Sequence, residues 1–141
     1  MIRFFTAALL VVCLALTSSC SAYRNYNRRD DFERNVKTYN RMLRWHEVET
    51  AGMRFMDPDG RDLFLATAES IKKRGVSIID FRILTTECLP EKGTGDAVVE
   101  FDYYIMPSNR LKTVTYRQKW AYRDTETQNG WKVKSSLPEF E

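Results

Sequence analysis

Residues 97–106, which read Ala-Val-Val-Glu-Phe-Asp-Tyr-Tyr-Ile-Met, decide the fold of this chain. Apolar or aromatic residues occupy every second position, and Glu100 and Asp102 stand between them. This period of two is typical of a β-strand with one buried face, because successive side chains of a strand point to opposite faces. The predicted core-facing residues are Ala97, Val99, Phe101, Tyr103 and Ile105.

Three more β-type runs surround this stretch. In residues 76–88 one side carries Ile79, Phe81 and Ile83, and the other side carries Asp80, Arg82 and Leu84. Residues 111–123 and 131–135 alternate in the same manner. The segments between the runs are short and contain Pro, Gly and polar residues, which favours an antiparallel meander over βαβ units.

The chain before residue 76 has helical periodicity instead. Apolar residues spaced by four, three and four predict a helix that begins at Asp30 or Asp31 and runs to about Trp45 or Glu49. That face consists of Phe32, Val36, Tyr39 and Leu43. A second helix is predicted over residues 61–74, after a Pro-Asp-Gly turn and before Gly75. Two N-terminal helices packed on a curved four-stranded antiparallel sheet form an α+β fold, a cone with a pocket at its open end.

The N-terminus has the layout of an export signal. A basic start at Arg3 precedes a thirteen-residue apolar run, residues 4–16, and small residues then lead to Cys20. This order is that of a secretory signal peptide. The cysteine after small residues resembles the lipobox of bacterial lipoproteins, which implies cleavage before Cys20 and diacylation of its sulfur. Two acyl chains attach a protein to a bilayer stably, whereas one chain holds it only marginally.

Two other interpretations of the N-terminus stay open. Cys20-Ser21-Ala22 is loosely of the small-x-small type, so ordinary cleavage after Ala22 would give a secreted protein. A retained membrane anchor is the other alternative. The apolar run is short for that role, since thirteen helical residues reach roughly 20 Å of a ~30 Å hydrocarbon core.

The expected organisation is a signal peptide over residues 1–19, a lipidated polar tether over 20–29 and one cone-shaped domain over 30–141. Arg3 is the only charged residue of the signal peptide, so the mature chain keeps a nearly balanced charge. That balance does not suggest nucleic acid as a partner. Cys88 remains without an intrachain partner and is interpreted as a partly buried strand residue, with pairing between chains left open.

Three groups of segments carry a more particular resemblance. They are residues 43–51 (LRWHEVETA) with 55–58 (FMDP), residues 116–122 (YRQKWAY), and residues 130–133 (GWKV) with 137–140 (LPEF). Together they look like a group of small proteobacterial lipoproteins with a nuclear-transport-factor-two-like, or cystatin-like cone, domain. The resemblance implies this fold and an envelope location over about residues 30–140. It implies no activity, because the fold hosts enzymes, ligand cups and dimerisation modules.

Few residues in the chain point to catalysis. His46 is the only histidine, and Asp102 is a strand carboxylate that would serve as a base if burial raised its pKa. The expected structural roles are a polar helix-end residue for His46 and a solvated sheet face for Asp102. One histidine with scattered carboxylates gives no metal-ligand spacing, and phosphate-binding glycine loops are absent from the sequence. We therefore expect no metal and no cofactor.

The aromatic residues are the other candidate binding elements. Trp45, Tyr103 and Trp120 are interpreted as core residues or as the lining of the cone pocket. The expected function is that of a non-enzymatic binding or interaction module of the bacterial envelope. It would be anchored to the bilayer through Cys20 and face the periplasm, with an envelope protein or a second copy as partner. Ser21 after the acylated cysteine resembles the outer-membrane class. The alternative is a cup for a small apolar ligand with weak acid–base chemistry.

Overall fold

A computed structural model of the chain describes residues 2–141, with side chains from Ser21 onward. The predicted signal peptide and the predicted lipidation site Cys20 lie outside the residues whose side chains are described. Contacts, burial and cavities therefore refer to residues 21–141.

Three helices precede four strands along the chain. The elements are α1 (Ile2–Arg44), α2 (Val48–Phe55), α3 (Pro58–Lys73), β1 (Val76–Leu89), β2 (Thr94–Ile105), β3 (Ser108–Asp124) and β4 (Asn129–Val133). The strands pair antiparallel in the order β1-β2-β3-β4, and the helices pack against this curved, open sheet. The predicted α+β fold is confirmed.

Helix α2 was not predicted, and it raises the number of helices from two to three. The sequence pattern was interrupted at Gly52, a residue that weakens a helix by about 1 kcal/mol relative to alanine. In the structure a Cβ at Gly52 would lie 2.6 Å from the ring of Phe64 on α3. Glycine is therefore needed at this position so that α2 and α3 can approach closely.

The central strand β2 has the predicted orientation. Ala97, Val99, Phe101 and Tyr103 are all buried, at 3% exposure or less, and Ile105 is half-buried. The opposite face carries Glu100 and Asp102, as the alternation predicts. The hydrophobic pattern thus fixes which face of the sheet receives the helices, since a shift of one residue would turn every apolar side chain to solvent.

Strand β1 departs from the predicted alternation. Its register against β2 shifts between Ile78 and Asp80 and again between Ile83 and Thr85. The first shift leaves Ile78 buried at 6% exposure, whereas Ile79 is 44% exposed. The prediction that Ile79 shares a face with Phe81 and Ile83 was wrong because a bulge adds an unpaired residue and so resets the period of two.

Helix α1 supplies the layer that covers the sheet. Its predicted apolar face is confirmed, and all four members are fully buried: Phe32, Val36, Tyr39 and Leu43. Phe32 packs against Trp131 and Trp120, with ring centroids 4.9 Å and 6.0 Å away. Aromatic side chains from the helix and two strands therefore fill the centre of the curved sheet.

The C-terminal segment closes the rest of the sheet interior. Phe140 is 1% exposed and stacks edge-on against Tyr103 at 4.8 Å. The Tyr103 hydroxyl donates to the main-chain oxygen of Glu141 at 2.8 Å, and the Tyr116 hydroxyl donates to the main-chain oxygen of Ser136. Side chains of the protein itself therefore occupy the place where the sequence predicted a cone pocket.

Residues 21–29, predicted as part of a polar tether, differ from the expectation because they continue α1 as helix. The tether was inferred from the lack of aliphatic residues. The same stretch contains no Gly or Pro that would break a helix. Its last turn also packs on the domain, since the Trp131 indole donates to the Arg28 carbonyl at 2.8 Å.

A buried carboxylate ties the α2–α3 corner to the sheet. Asp57 is 5% exposed and accepts hydrogen bonds from Arg123, at the end of β3, and from Lys134 at 2.9 Å. Burial by itself would raise the pKa of Asp57, but the hydrogen bonds and charges of Arg123 and Lys134 outweigh it and lower this pKa. Asp57 therefore stabilises the fold as an anion.

Replacing Asp57 by alanine is expected to lower the free energy of unfolding by about 2 kcal/mol at pH 7, the range for hydrogen bonds to charged groups. The pKa of Asp57 is lower in the folded than in the unfolded state. Its contribution is thus complete above the unfolded pKa and is lost as the pH falls through the folded pKa. Urea denaturation gives the free energy of unfolding of the wild-type protein and of Asp57→Ala at each pH from 7 to 2. The two values should converge in acid. The exposed Asp62→Ala serves as control, and an equal loss in both variants would contradict the assignment.

Candidate functional site

A rare backbone conformation lies at the end of α1. His46 has a φ of 62°, in the left-handed region that non-glycine residues rarely adopt. Two main-chain hydrogen bonds close the turn, from His46 N to Leu43 O at 3.2 Å and from Glu47 N to Met42 O at 2.9 Å. This pairing is a Schellman motif, in which His46 takes the place usually held by glycine.

His46 forms part of the wall of an open cavity of about 280 Å³ between α2, α3 and the start of β1. Apolar residues from the three elements line most of this cavity, which we call the His46 cavity. These residues are Val48, Ala68, Ile71 and Val76. Glu49 and Lys72 complete the lining, and their charged atoms lie 3.7 Å apart. The cavity therefore combines an apolar wall with an exposed rim of both charges.

A second depression of about 290 Å³ shares His46 and extends towards β1. Its lining includes Trp45, which is 62% exposed, together with Ile79. The Arg44 guanidinium lies 5.1 Å from the Trp45 ring and also donates to the Ile79 carbonyl at 2.6 Å. An exposed tryptophan backed by a cation is typical of binding surfaces, where aromatic side chains anchor partners.

Asp102 lies apart from this region and is not a base poised for neutral pH. It lines neither of the two cavities that contain His46. Its carboxylate accepts hydrogen bonds from Thr113 at 2.8 Å and from Arg82 at 2.9 Å, and these two partners lower its pKa. Asp102 is half-buried and paired with Arg82 on the face of the sheet away from the helices, and its pKa is lowered, not raised as the hypothesis of a base required.

Of the three aromatic residues considered for a pocket lining, only Trp45 lines a cavity described above. Tyr103 is 3% exposed and is hydrogen-bonded to Glu141. Trp120 is 2% exposed and packs edge-on against Tyr39 at 5.6 Å. Both belong to the core because they lie on the helix-facing side of the sheet, which is filled.

Cys88 and the potential metal ligands are the remaining candidate reactive groups in residues 21–141. Cys88 is an unpaired, half-buried residue, and burial raises the pKa of its thiol. A raised pKa keeps the thiol protonated and unreactive. Among the side chains of residues 21–141, no three His, Cys, Asp or Glu residues come together as metal ligands. In the same part of the chain, no helix is long and apolar enough to cross a membrane.

Replacing His46 by glycine is expected to raise the free energy of unfolding by about 1 kcal/mol, because the left-handed conformation strains a residue with a Cβ. Thermal or urea denaturation measures this change. Glu47→Gly is the matched control, since Glu47 has a φ of −89° and gains nothing from glycine. If His46→Gly destabilised the protein, contacts of the imidazole would contribute more to stability than the backbone strain costs.

The sequence placed His46 at the end of the first helix but did not identify the other residues of its cavity. Ala68 and Ile71 lie within the predicted second helix, and Val48 belongs to the unpredicted α2. The one available signal was that His46 and Trp45 follow the last apolar position of α1, where a helix end exposes its side chains.

Comparisons with known proteins complete the description of the site. No protein-family model and no curated protein matches this chain. Among solved structures, the crystal structure of the intermembrane space region of chloroplast protein ARC6 is similar, with a TM-score of 0.48 and 10% sequence identity. The match covers 77% of this chain and 92% of that chain.

Proposed function

We propose that this protein is a bacterial envelope lipoprotein that acts as a non-enzymatic binding module. The N-terminal sequence supports the anchor, because a signal-peptide layout ends at Cys20. Acylation of Cys20 would hold the domain on a membrane facing the periplasm, and Ser21 resembles the outer-membrane sorting class. The binding element is the surface around Trp45 and His46 at the far end of α1.

One observation carries the binding role over catalysis. The interior of the curved sheet is filled by the protein's own aromatic side chains, while Trp45 remains 62% exposed and lines the depression that shares His46. A catalytic site needs a base, a partner that orients it and a protected volume. His46 and Asp102, the two candidate bases, line no common cavity among those described. The exposed surface is therefore suited to a protein partner, either another envelope protein or a second copy.

The anchor is tested by fractionation of cells that produce the full chain. Cys20→Ala is expected to abolish detergent-dependent membrane association, since the acyl chains supply the attachment. Cys88→Ala, the matched control, should leave the protein in the membrane fraction because this thiol is half-buried in strand β1. Equal distribution of both variants would refute the anchor.

The partner surface is tested by crosslinking and affinity capture from envelope fractions. Trp45→Ala is expected to abolish capture of a specific partner or of a second copy. Tyr26→Ala is the matched control, since Tyr26 is an aromatic residue of α1 that is 71% exposed and lies about five turns before Trp45. If the Trp45→Ala variant still captured the partner, the binding surface would lie elsewhere on the protein.

A second candidate function is supported by the apolar wall of the His46 cavity. A volume of about 280 Å³ can hold a small apolar molecule, since a dry apolar cavity of roughly 150 Å³ binds benzene. Because His46 is the only histidine, its imidazole gives a single NMR reporter for titration with indole. Ala68→Leu fills the cavity and should abolish the shift, whereas Ala66→Leu on the exposed face of α3 should preserve it. No shift in the wild-type protein would exclude this function for indole-sized ligands.

A further inference from the structure

The first residues of α1 with described side chains connect the predicted anchor directly to the domain core. Residues 21–29 are helical, and the same helix continues through the fully buried Phe32 and Leu43. This stretch contains no Gly or Pro that would break the helix. The direction of the helix axis at residues 21–29 is therefore the same as in the domain core. Residues 21–31, which we call the stem, are therefore a helical connection to the domain and not a flexible linker.

Arg28 fastens the stem to two loops of the domain. Its guanidinium donates to the Pro90 carbonyl at 3.3 Å and pairs with Asp124 at 3.5 Å, and its side chain is only 19% exposed. It also lies 4.3 Å from the centre of the Tyr122 ring. Pro90 belongs to the β1–β2 turn and Asp124 is the last residue of β3, directly before the β3–β4 loop, so both connections are held against the stem.

The main chain of the stem is fastened as well. The indole of Trp131, a residue that is 2% exposed, donates to the Arg28 carbonyl at 2.8 Å. This contact joins the stem to the buried face of β4. The stem cannot swing away from the domain without breaking a hydrogen bond of a core tryptophan and a cluster of Arg28 contacts.

The rise of the helix gives the distance of these contacts from the anchor. The rise from Ser21 to Arg28 is about 10 Å, and the rise from Arg28 to Arg44 adds about 24 Å. The two loops beside Arg28 thus lie close to Cys20, whereas Trp45 and His46 lie at the opposite end. A flexible tether of ten residues would instead have an end-to-end distance of roughly 17 Å, enough to let a domain of about this size turn over.

We propose that the stem orients the domain on the membrane, with the β1–β2 turn and the β3–β4 loop facing the bilayer and the Trp45–His46 surface facing away. This orientation rests on acylation of Cys20 as proposed above. Because the two loops lie about 10 Å along the helix from Ser21 and Trp45 lies more than about 30 Å from it, attachment at Cys20 places the loops nearer the bilayer than the Trp45–His46 surface. Tyr23 and Tyr26, at 70% and 71% exposure, occupy the part of the stem nearest the anchor. Tyrosine is favoured at this level because its ring suits the membrane–water interface.

The test uses the lipidated full-length protein in vesicles whose headgroups carry a nitroxide quencher. In a Cys88→Ser background, a fluorophore is attached at Thr127→Cys in the β3–β4 loop or at Glu47→Cys beside His46. Both positions are exposed. Short-range quenching is expected to be strong for the probe at position 127 and weak for the probe at position 47. Co-sedimentation with the vesicles is measured on the same samples.

A matched pair of variants isolates the stem. Asn25→Pro removes a helix hydrogen bond and clashes with the preceding turn, while the helix after it stays packed. The difference between the two probes should disappear in Asn25→Pro and persist in Asn25→Ala. Equal quenching at both positions in vesicle-bound wild-type protein would contradict the proposed orientation. A difference that persists in Asn25→Pro would show that the stem does not determine it. Protein that does not co-sediment at all would instead overturn the anchor.

Discussion

Replacement of Asn40 by leucine is expected to destabilise the protein by about 2–3 kcal/mol, the cost of leaving a buried amide unpaired. Asn40 and Gln118 are both fully buried and exchange two hydrogen bonds, at 2.6 Å and 3.1 Å. Asn40 also donates to the Val36 carbonyl at 2.8 Å. Leucine at position 40 would leave the Gln118 amide facing apolar neighbours without a partner.

The control for this prediction is the double variant Asn40→Leu with Gln118→Met. Removal of both amides takes away the desolvation cost together with the hydrogen bonds, so the double variant should be more stable than either single variant. Urea denaturation of the four proteins gives the coupling free energy. Additive losses in the double variant would contradict the pairing, because independent residues add. The amide pair thus joins the buried face of α1 to β3.

Replacement of Gly95 by alanine is expected to cost about 2 kcal/mol or more, within the range for overpacking a core. A Cβ at Gly95 would lie 2.5 Å from a ring carbon of Phe32, which is fully buried and held between Trp120 and Trp131. The ring has no free space to move into. The loss is expected as a lower urea midpoint with an unchanged slope.

Gly60→Ala is the matched control for Gly95→Ala. A Cβ at Gly60 would lie 2.8 Å from the terminal methyl of Met56, and a flexible methionine side chain moves easily. Gly60 also lies in the first turn of α3, where alanine is the better helix former. The control variant is therefore expected to be neutral or slightly stabilised. Equal destabilisation of both variants would show that backbone freedom, not the Phe32 ring, requires glycine at position 95.

Periodicity predicted those parts of the fold in which one face of an element meets the core. The spacing of Phe32, Val36, Tyr39 and Leu43 identified the buried face of α1, and the alternation in β2 identified the face of the sheet that the helices cover. In both elements local geometry and tertiary burial require the same residues, so the pattern in the sequence is complete.

Features that depend on a distant partner were not predictable in the same way. Helix α2 exists because Phe64 packs over Gly52, and the helical stem is fastened through Trp131 and Arg28, which are far apart in sequence. The bulges of β1 follow from pairing with β2 and leave no mark in its composition. Tertiary contacts override local propensity at these positions.

The candidate site was only partly predictable for a related reason. His46 and Trp45 were identified because they end a helix, but their cavity is assembled from α2, α3 and β1, and its volume depends on how those elements meet. Tyr103, considered for the lining of the cone pocket, is covered by Phe140 of the C-terminal segment. Residue type alone did not distinguish a side chain that lines a pocket from one that fills it.

The central claim is that a lipid on Cys20 holds this domain at a membrane, and the intact mass of the mature protein extracted from membranes tests it most directly. We predict a chain that begins at Cys20 and carries the additional mass of a diacylglycerol group, which should be absent from Cys20→Ala. An unmodified mature chain that begins at Tyr23, or elsewhere, and is recovered without detergent would contradict the account.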